Sequence, residues 1–134
     1  MKVSKGKYIK DTLYPKIVDA FSRILKEKKF VSPLDIFQEL FLLEKKHIED
    51  WRFKRVPFLE KVLKCNLHKA SRILQISKHH ANDLDLKLSK TVYMKFGKGP
   101  KIILRFTKTG DKNIEEAYST HFVKKRSEEE EQPE

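Results

Sequence analysis

The residues best suited to bind a polyanion lie between Lys87 and Lys112, where eight Lys or Arg residues accompany one acid, Asp111. Apolar and polar residues alternate on both sides of a glycine-rich turn at 97–100, which predicts a β-hairpin near residues 86–108. The outward face of this hairpin is expected to carry Tyr93, Lys95, Lys101, Ile103 and Arg105, with Lys98 at its tip. Phosphates bind cations that reach beyond the fold, and bases stack on planar rings, so this face is predicted to bind nucleic acid.

The same hairpin face has an alternative interpretation as an ordinary solvated surface. Lys and Thr are common on exposed strands, where they protect the edge of a sheet against aggregation. A basic surface also attracts any polyanion at low salt, which makes charge an unspecific signal. Both interpretations stay open at the level of the sequence.

A second set of candidate side chains lies on a helix predicted over residues 67–81, for which Asn66 is a favourable N-cap. The face opposite its apolar residues carries His68, Lys69, Arg72, Gln75 and His79. Such a face can enter the major groove of DNA, and Lys69 and Arg72 are predicted to contact phosphates. An amphipathic helix with its polar residues turned to solvent explains the same pattern.

A third candidate is the run from Trp51 to Arg55, in which aromatic and basic residues are interleaved. Rings beside cations can stack on bases or hold an arginine over a ring. Large aromatic side chains near a loop are more often buried in a small core that closes the loop. The second interpretation is favoured.

Metal and catalytic sites are not indicated. The five histidines lack the i, i+4 spacing of a helical zinc site, and Cys65 is the single cysteine. Asp83 and Asp85 could hold a metal for nuclease chemistry, but acids at such a junction are more often turn formers. No nucleophile–base motif and no glycine-rich phosphate loop is recognisable. The sequence therefore predicts a protein that is not an enzyme and that holds no cofactor or metal.

The net charge of the chain indicates which classes of partner it can attract, but it does not identify a particular partner. Its net charge is +11 over 134 residues, and residues 127–134 contain five acids and no base. Residues 1–126 therefore carry 30 Lys and Arg against 14 Asp and Glu, a net charge of +16. No apolar run approaches the ~18 residues of a membrane span, and the first residues do not resemble a signal peptide. The expected location is the cytoplasm, or the nucleus of a eukaryote, with no membrane partner.

The elements that position these residues are mainly helices. An apolar period predicts a first helix from about Thr12 or Leu13 to about Lys28. Ser32-Pro33-Leu34-Asp35 predicts a second helix that begins with a capping box. Residues 44–55 fit either a long turn or a short helix.

Two further helix starts follow Val56-Pro57 and Gly110-Asp111, and the last helix is expected to include Phe122. The predicted core residues are Phe21, Leu40, Leu63, Leu74, Met94, Leu104 and Phe106. The fold class is therefore α+β, with a body of four to five helices and one hairpin. Residues 1–10 are expected to be a flexible N-terminus, 11–123 a single globular domain, and 124–134 a disordered acidic tail.

This order of elements, helices followed by a hairpin, resembles the winged-helix class over roughly residues 12–108. The resemblance implies that the helix over 67–81 reads DNA. Two features depart from the class, namely the extra helix after Pro57 and the long turn between Phe41 and Pro57.

The function predicted from the sequence is that of a small basic nucleic-acid-binding domain, a regulator or accessory factor without chemistry of its own. The alternative is a protein-interaction or scaffold domain with an acidic protein partner. The residue pattern leaves open DNA or RNA as the ligand, and it leaves open the oligomeric state.

Overall fold

The structure is a computed structural model that describes residues 7–125, which form five α-helices and a small antiparallel sheet. The helices are α1 (Tyr14–Glu27), α2 (Pro33–Glu39), α3 (Lys45–Arg52), α4 (Leu67–Asp83) and α5 (Lys112–Ser119). The strands are β1 (Phe30–Val31), β2 (Lys87–Lys90) and β3 (Thr120–Val123), and 3-10 helices cover Tyr8–Lys10 and Leu59–Val62. None of the described helices is both long and apolar enough to cross a membrane. The predicted α+β class with a helical body is confirmed.

Three helices begin at the caps that the sequence predicts. At the start of α2, the Ser32 hydroxyl accepts from the N–H of Asp35 and the Asp35 carboxylate accepts from the N–H of Ser32, both at 3.1 Å. Asn66 caps α4 by accepting the N–H of Lys69 at 2.8 Å. The Asp111 carboxylate accepts two backbone N–H groups at the start of α5. Each cap satisfies donors that a helix start leaves without a partner.

Helices α2, α3 and α4 end in the same way, and none of them uses glycine. Phe41, Lys54 and Asp85 follow the three C-caps with φ values of 61°, 58° and 58°. In each case the N–H of the next residue bonds to the carbonyl five residues earlier, at 2.8–2.9 Å. This is the Schellman arrangement, in which glycine is the usual left-handed residue. A side chain in that conformation costs roughly 1 kcal/mol.

The predicted hairpin near residues 86–108 is only partly formed, so its predicted extent is wrong. β2 pairs with β3 rather than with the second arm of the hairpin, and the order of strands in the sheet is β1-β3-β2. The two arms meet around a single bridge between Met94 and Ile103, flanked by two backbone hydrogen bonds of 2.8 Å. We call residues 93–104 the hairpin end.

The second arm leaves the first because other segments bind its backbone. The carbonyl of Arg105 accepts the N–H of Leu59 at 3.2 Å and the indole N–H of Trp51 at 2.7 Å. The carbonyl of Phe106 accepts the N–H of Glu60 at 2.9 Å. These bonds fix the arm beside the 3-10 helix and α3.

Two other predicted elements differ from the structure. The helix expected after Val56-Pro57 is the four-residue 3-10 helix at Leu59–Val62. The last helix ends at Ser119, so Phe122 lies on β3, where it is paired with Leu88. The ambiguous stretch 44–55 contains helix α3.

The core lies between the helices and the inner face of the sheet, where Phe21 of α1 stacks on Phe122 at 5.9 Å. Of the predicted core residues, Phe21, Leu74, Leu104 and Phe106 are buried, whereas Leu40, Leu63 and Met94 are half-buried. The expected alternation is wrong in the first arm, because Leu88 and Val92 are exposed.

The predicted flexible ends fall mostly outside the described residues. Residues 1–6 of the predicted N-terminal segment 1–10 lie outside the described range. So do residues 126–134 of the predicted tail 124–134. Inside it, Tyr8 is buried, with its ring centroid 5.3 Å from those of Tyr14 and His79.

Candidate functional site

The hairpin end packs on the C-terminal end of α3. The N–H of Phe96 bonds to the carbonyl of Arg52 at 2.7 Å, and the rings of Phe53 and Phe96 lie 5.7 Å apart at 76°. Gly97 adopts a φ of 98° beside the Phe53 ring, a conformation that glycine adopts without strain. Two segments that lie more than forty residues apart in the chain therefore meet at two aromatic side chains.

Arg52 is held at the centre of this contact. Its guanidinium carbon lies 3.8 Å from the ring centroid of Phe96 and 5.2 Å from that of Tyr93. Among residues 7–125 it forms no ion pair, and its buried Nε has no hydrogen-bond partner. Burial lowers the pKa of the Arg52 guanidinium, which nevertheless stays charged at neutral pH. The result is a fixed cation without a carboxylate.

Other cations lie close to the two rings along the chain, and the guanidinium carbon of Arg55 lies 4.9 Å from the ring centroid of Phe53. Lys54, Lys98 and Lys101 are exposed and form no ion pair with any described residue, and the half-buried Lys95 forms none either. Arg55 differs, because it pairs with Asp50 at 3.0 Å and lies within 3.9 Å of Glu49. We call the following set the basic surface: Arg52, Phe53, Lys54, Lys95, Phe96, Lys98 and Lys101.

Trp51, the residue before Arg52, connects this surface to the core. Its side chain is fully buried, its indole donates to the Arg105 carbonyl, and its ring lies 5.0 Å from that of Phe106. The small core expected at the run from Trp51 to Arg55 is therefore confirmed for Trp51. It is wrong for Phe53, which is 37% exposed.

The predicted outward position of Tyr93 is wrong. Its ring contacts Trp51 at 5.4 Å and Phe106 at 5.5 Å, and its hydroxyl lies 2.8 Å from Nε2 of His121. Burial raises the pKa of Tyr93 to about 12. The first arm leaves β3 after the bond between Thr91 and the Ser119 carbonyl, so the alternation is interrupted and the large ring turns inward. Tyr93 is therefore half-buried rather than turned to solvent.

Arg105 is exposed, but its guanidinium is used within the loop. It donates to the carbonyls of Thr107 and Lys108. The carboxylate of Glu115 holds the same loop by accepting the N–H groups of Phe106 and Thr107 and the Thr107 hydroxyl. Arg105 thus stabilises the second arm rather than extending from it.

Lys69 and Arg72, the two residues predicted on α4, contact parts of the molecule other than the basic surface. Arg72 donates to the Asp11 carboxylate at 2.5 and 3.0 Å, and this bonding holds the pKa of Asp11 below its usual value. Lys69 lines a cavity of about 250 Å³ that also includes Lys16 and Phe41. Of the seven predicted residues, Lys95, Lys98 and Lys101 lie on the hairpin end, as does the half-buried Tyr93.

Comparison of the chain with protein-family models, curated proteins and solved structures finds no match. The chemistry of the described residues must therefore carry the interpretation. Within residues 7–125, no three His, Cys, Asp or Glu side chains are grouped so that they could hold a metal ion. Burial raises the pKa of the Cys65 thiol, which makes it a poor nucleophile at neutral pH.

Sequence reasoning missed Arg52, Phe53, Lys54 and Phe96 as members of one surface. The interleaving of rings and cations after Trp51 was the only signal available. Neither segment alone shows that the glycine turn reaches α3, because that contact depends on the tertiary fold.

Proposed function

We propose that this protein is a small nucleic-acid-binding module, a regulator or accessory factor without catalytic chemistry, and that the basic surface binds the phosphates. The observation that supports this most is the meeting of α3 and the hairpin end. It brings two half-exposed rings together on segments that carry five cations, and none of the five is paired with a carboxylate of residues 7–125.

The lack of a described carboxylate partner for these five cations matters, because a cation that is already in an ion pair attracts a phosphate less strongly. A cation held without a partner in partly buried surroundings gains more from an incoming anion than a solvated one does. Arg52 is in that situation, between the rings of Tyr93 and Phe96. Its planar guanidinium also suits the geometry of a phosphate.

A winged-helix-like arrangement belongs to the same proposal. Helices α1, α2 and α4 precede the hairpin end, and the strand order β1-β3-β2 is compatible with such an arrangement. In that arrangement α4 would read the groove. The pairing of Arg72 with Asp11 argues that the hairpin end makes the main contacts instead.

A protein-interaction domain with an acidic partner remains the alternative. The observation in its favour is Phe41, which is 85% exposed in a left-handed conformation and lines a cavity with Lys16 and Lys69. In either case we propose a cytoplasmic location, because thiols are kept reduced there and a single cysteine cannot form a disulfide within the chain.

The test of the proposal is a titration at several salt concentrations against a duplex, a single-stranded DNA and a single-stranded RNA. The variant Lys98→Ala/Lys101→Ala removes two exposed cations from the basic surface. Its matched control, Lys26→Ala/Lys29→Ala, removes the same charge from the region of α1 and β1, where both lysines are exposed.

We expect the first variant to bind more weakly, with a slope of log affinity against log salt that falls by about 0.9 per lost duplex contact or about 0.7 per lost single-strand contact. The control should keep nearly the affinity and slope of the wild type. Equal losses in both variants would mean that only net charge matters. The acidic-partner alternative would then be favoured.

A further inference from the structure

We propose that the basic surface takes single-stranded nucleic acid, and that Phe96 and Phe53 stack on its bases. This inference rests on the proposed function and deepens it, because it identifies the form of the ligand. It replaces the stacking role predicted for Tyr93, whose ring is half-buried against Trp51 and Phe106.

The exposure of the two rings is the first observation. Phe53 is 37% and Phe96 47% exposed, whereas Trp51 and Phe106 are buried and Tyr93, which packs on both, is half-buried. Single exposed apolar side chains are common and need no explanation. Two adjacent exposed rings, one of them against Arg52, on segments whose lysines pair with no described carboxylate, offer both components that an unstructured strand binds, a stacking platform and phosphate ligands.

The rigidity of the pair is the second observation. The bond from Phe96 to the Arg52 carbonyl and the turn at Gly97 fix the backbone on both sides of the contact. The Arg52 guanidinium covers one face of Phe96 at 3.8 Å, so a base would stack on the opposite face. A ring fixed before binding loses little conformational entropy when the ligand arrives.

The geometry favours a single strand over a duplex. The base faces of a duplex are covered by neighbouring bases, so rings at the end of a hairpin can stack only where bases are unstacked. A duplex reader would instead present cations from α4, whose one arginine is bound to Asp11, so that only Lys69 and Lys78 of that helix are cations without an ion pair among the described residues. DNA and RNA strands share the chemistry recognised here, namely base faces and phosphates.

The experiment measures the affinity of the full chain for labelled oligo(dT), oligo(rU) and a duplex of the same length. Phe96→Ala and the double variant Phe53→Ala/Phe96→Ala remove the stacking platform. Ile103→Ala is the matched control, because Ile103 is a 65% exposed apolar residue of the same hairpin end without a ring. Phe96→Leu keeps an apolar contact with Arg52 but also lacks the ring, in case the alanine variants fold poorly. Thermal melting verifies that each variant is folded.

We expect Phe96→Ala to weaken single-strand binding roughly 5- to 100-fold and duplex binding no more than about twofold, with an unchanged salt slope. Phe96→Leu should behave in the same direction, and Ile103→Ala like the wild type. The oligo(dT) and oligo(rU) titrations show whether the 2′-hydroxyl contributes.

Two results would overturn the inference and leave the proposed function intact. One is wild-type single-strand affinity in the folded phenylalanine variants while Lys98→Ala/Lys101→Ala binds weakly. The other is an equal loss on duplex and single strand, which indicates a wedge inserted between base pairs. If the lysine variant also binds all three ligands like the wild type, the proposed function itself fails.

Discussion

Helix α4 and the hairpin end both carry cations that suggest a polyanion ligand, yet the fold uses them differently. On α4, the guanidinium of Arg72 is bound through two hydrogen bonds to Asp11, a residue 61 positions away. At the hairpin end, Lys98 and Lys101 have no carboxylate partner within the described chain. The arginine of α4 therefore stabilises the fold, whereas these two lysines of the hairpin end remain accessible.

This difference shows that the number of basic residues in a segment does not decide whether it can bind an anion. What decides it is whether folding brings a carboxylate to each of them. The following variants test that distinction, from the largest expected effect to the smallest.

Trp51→Ala should have the largest effect, because Trp51 fixes the hairpin end through its ring and its bond to Arg105. We expect a loss of about 3–5 kcal/mol in the free energy of unfolding, measured by chemical denaturation. Leu74→Ala, in the core face of α4, should lose about 2–5 kcal/mol. Where both variants are still folded, only Trp51→Ala should weaken nucleic-acid binding, and equal binding would contradict the anchoring role.

Asp11→Asn should destabilise the protein by about 1–3 kcal/mol, since it removes the charge from a pair with Arg72 that is largely shielded from water. It releases Arg72, so the affinity for nucleic acid should stay the same if α4 is not part of the surface. An increase in affinity would show that α4 joins it and would remove the distinction between the two regions.

The two regions should also respond to pH in opposite directions. The pKa of Asp11 is lowered by its hydrogen bond with Arg72, so its contribution to stability is present above the unfolded pKa of about 3.9 and is lost as the pH falls through the folded value. The pKa of Glu60, whose N–H bonds to the Phe106 carbonyl of the second arm, is raised by burial. Its contribution is present below the unfolded pKa of about 4.3 and is lost as the pH rises through the folded value.

Stability curves against pH check this prediction with two variants. Asp11→Asn should flatten the acid side of the curve, and Glu60→Gln should flatten the decline on the neutral side. Gln can still accept the hydroxyl of Tyr118, which donates to Glu60 at 2.7 Å. A steeper neutral decline in Glu60→Gln would show that the sign assigned to Glu60 is wrong.

The smallest effects are expected at the left-handed helix ends. Phe41→Gly and Lys54→Gly should each change the free energy of unfolding by less than about 1 kcal/mol in the stabilising direction, because glycine adopts this conformation without strain. Lys54→Gly should also weaken nucleic-acid binding, whereas Phe41→Gly should not. If Phe41→Gly is the variant that binds more weakly, the cavity beside α1 is the functional surface.

The sequence predicts local features well, because their partners lie within a few residues. The capping box at Ser32 and Asp35 and the N-cap at Asn66 require only three residues of separation. The pairing of Leu88 with Phe122 spans more than thirty residues, and four-residue strands are too short to show alternation.

In the candidate site, too, the local features were predictable from the sequence and the long-range contacts were not. The cations at Lys95, Lys98 and Lys101 follow from turn chemistry and composition. The inward turn of Tyr93 and the contact of Phe96 with Arg52 depend on where the second arm finds its backbone partners. The ion pair between Arg72 and Asp11 depends on how the segment before α1 packs against α4.

Trp51 is the one tryptophan of the chain, and it lies directly beneath the hairpin end. Its intrinsic fluorescence is therefore an optical reporter of a single place in the molecule. While the indole is enclosed and bonded to the Arg105 carbonyl, its emission is that of an apolar environment. Detachment of the hairpin end would admit water and shift the emission to longer wavelength, so docking of the two segments can be followed in real time without any attached dye.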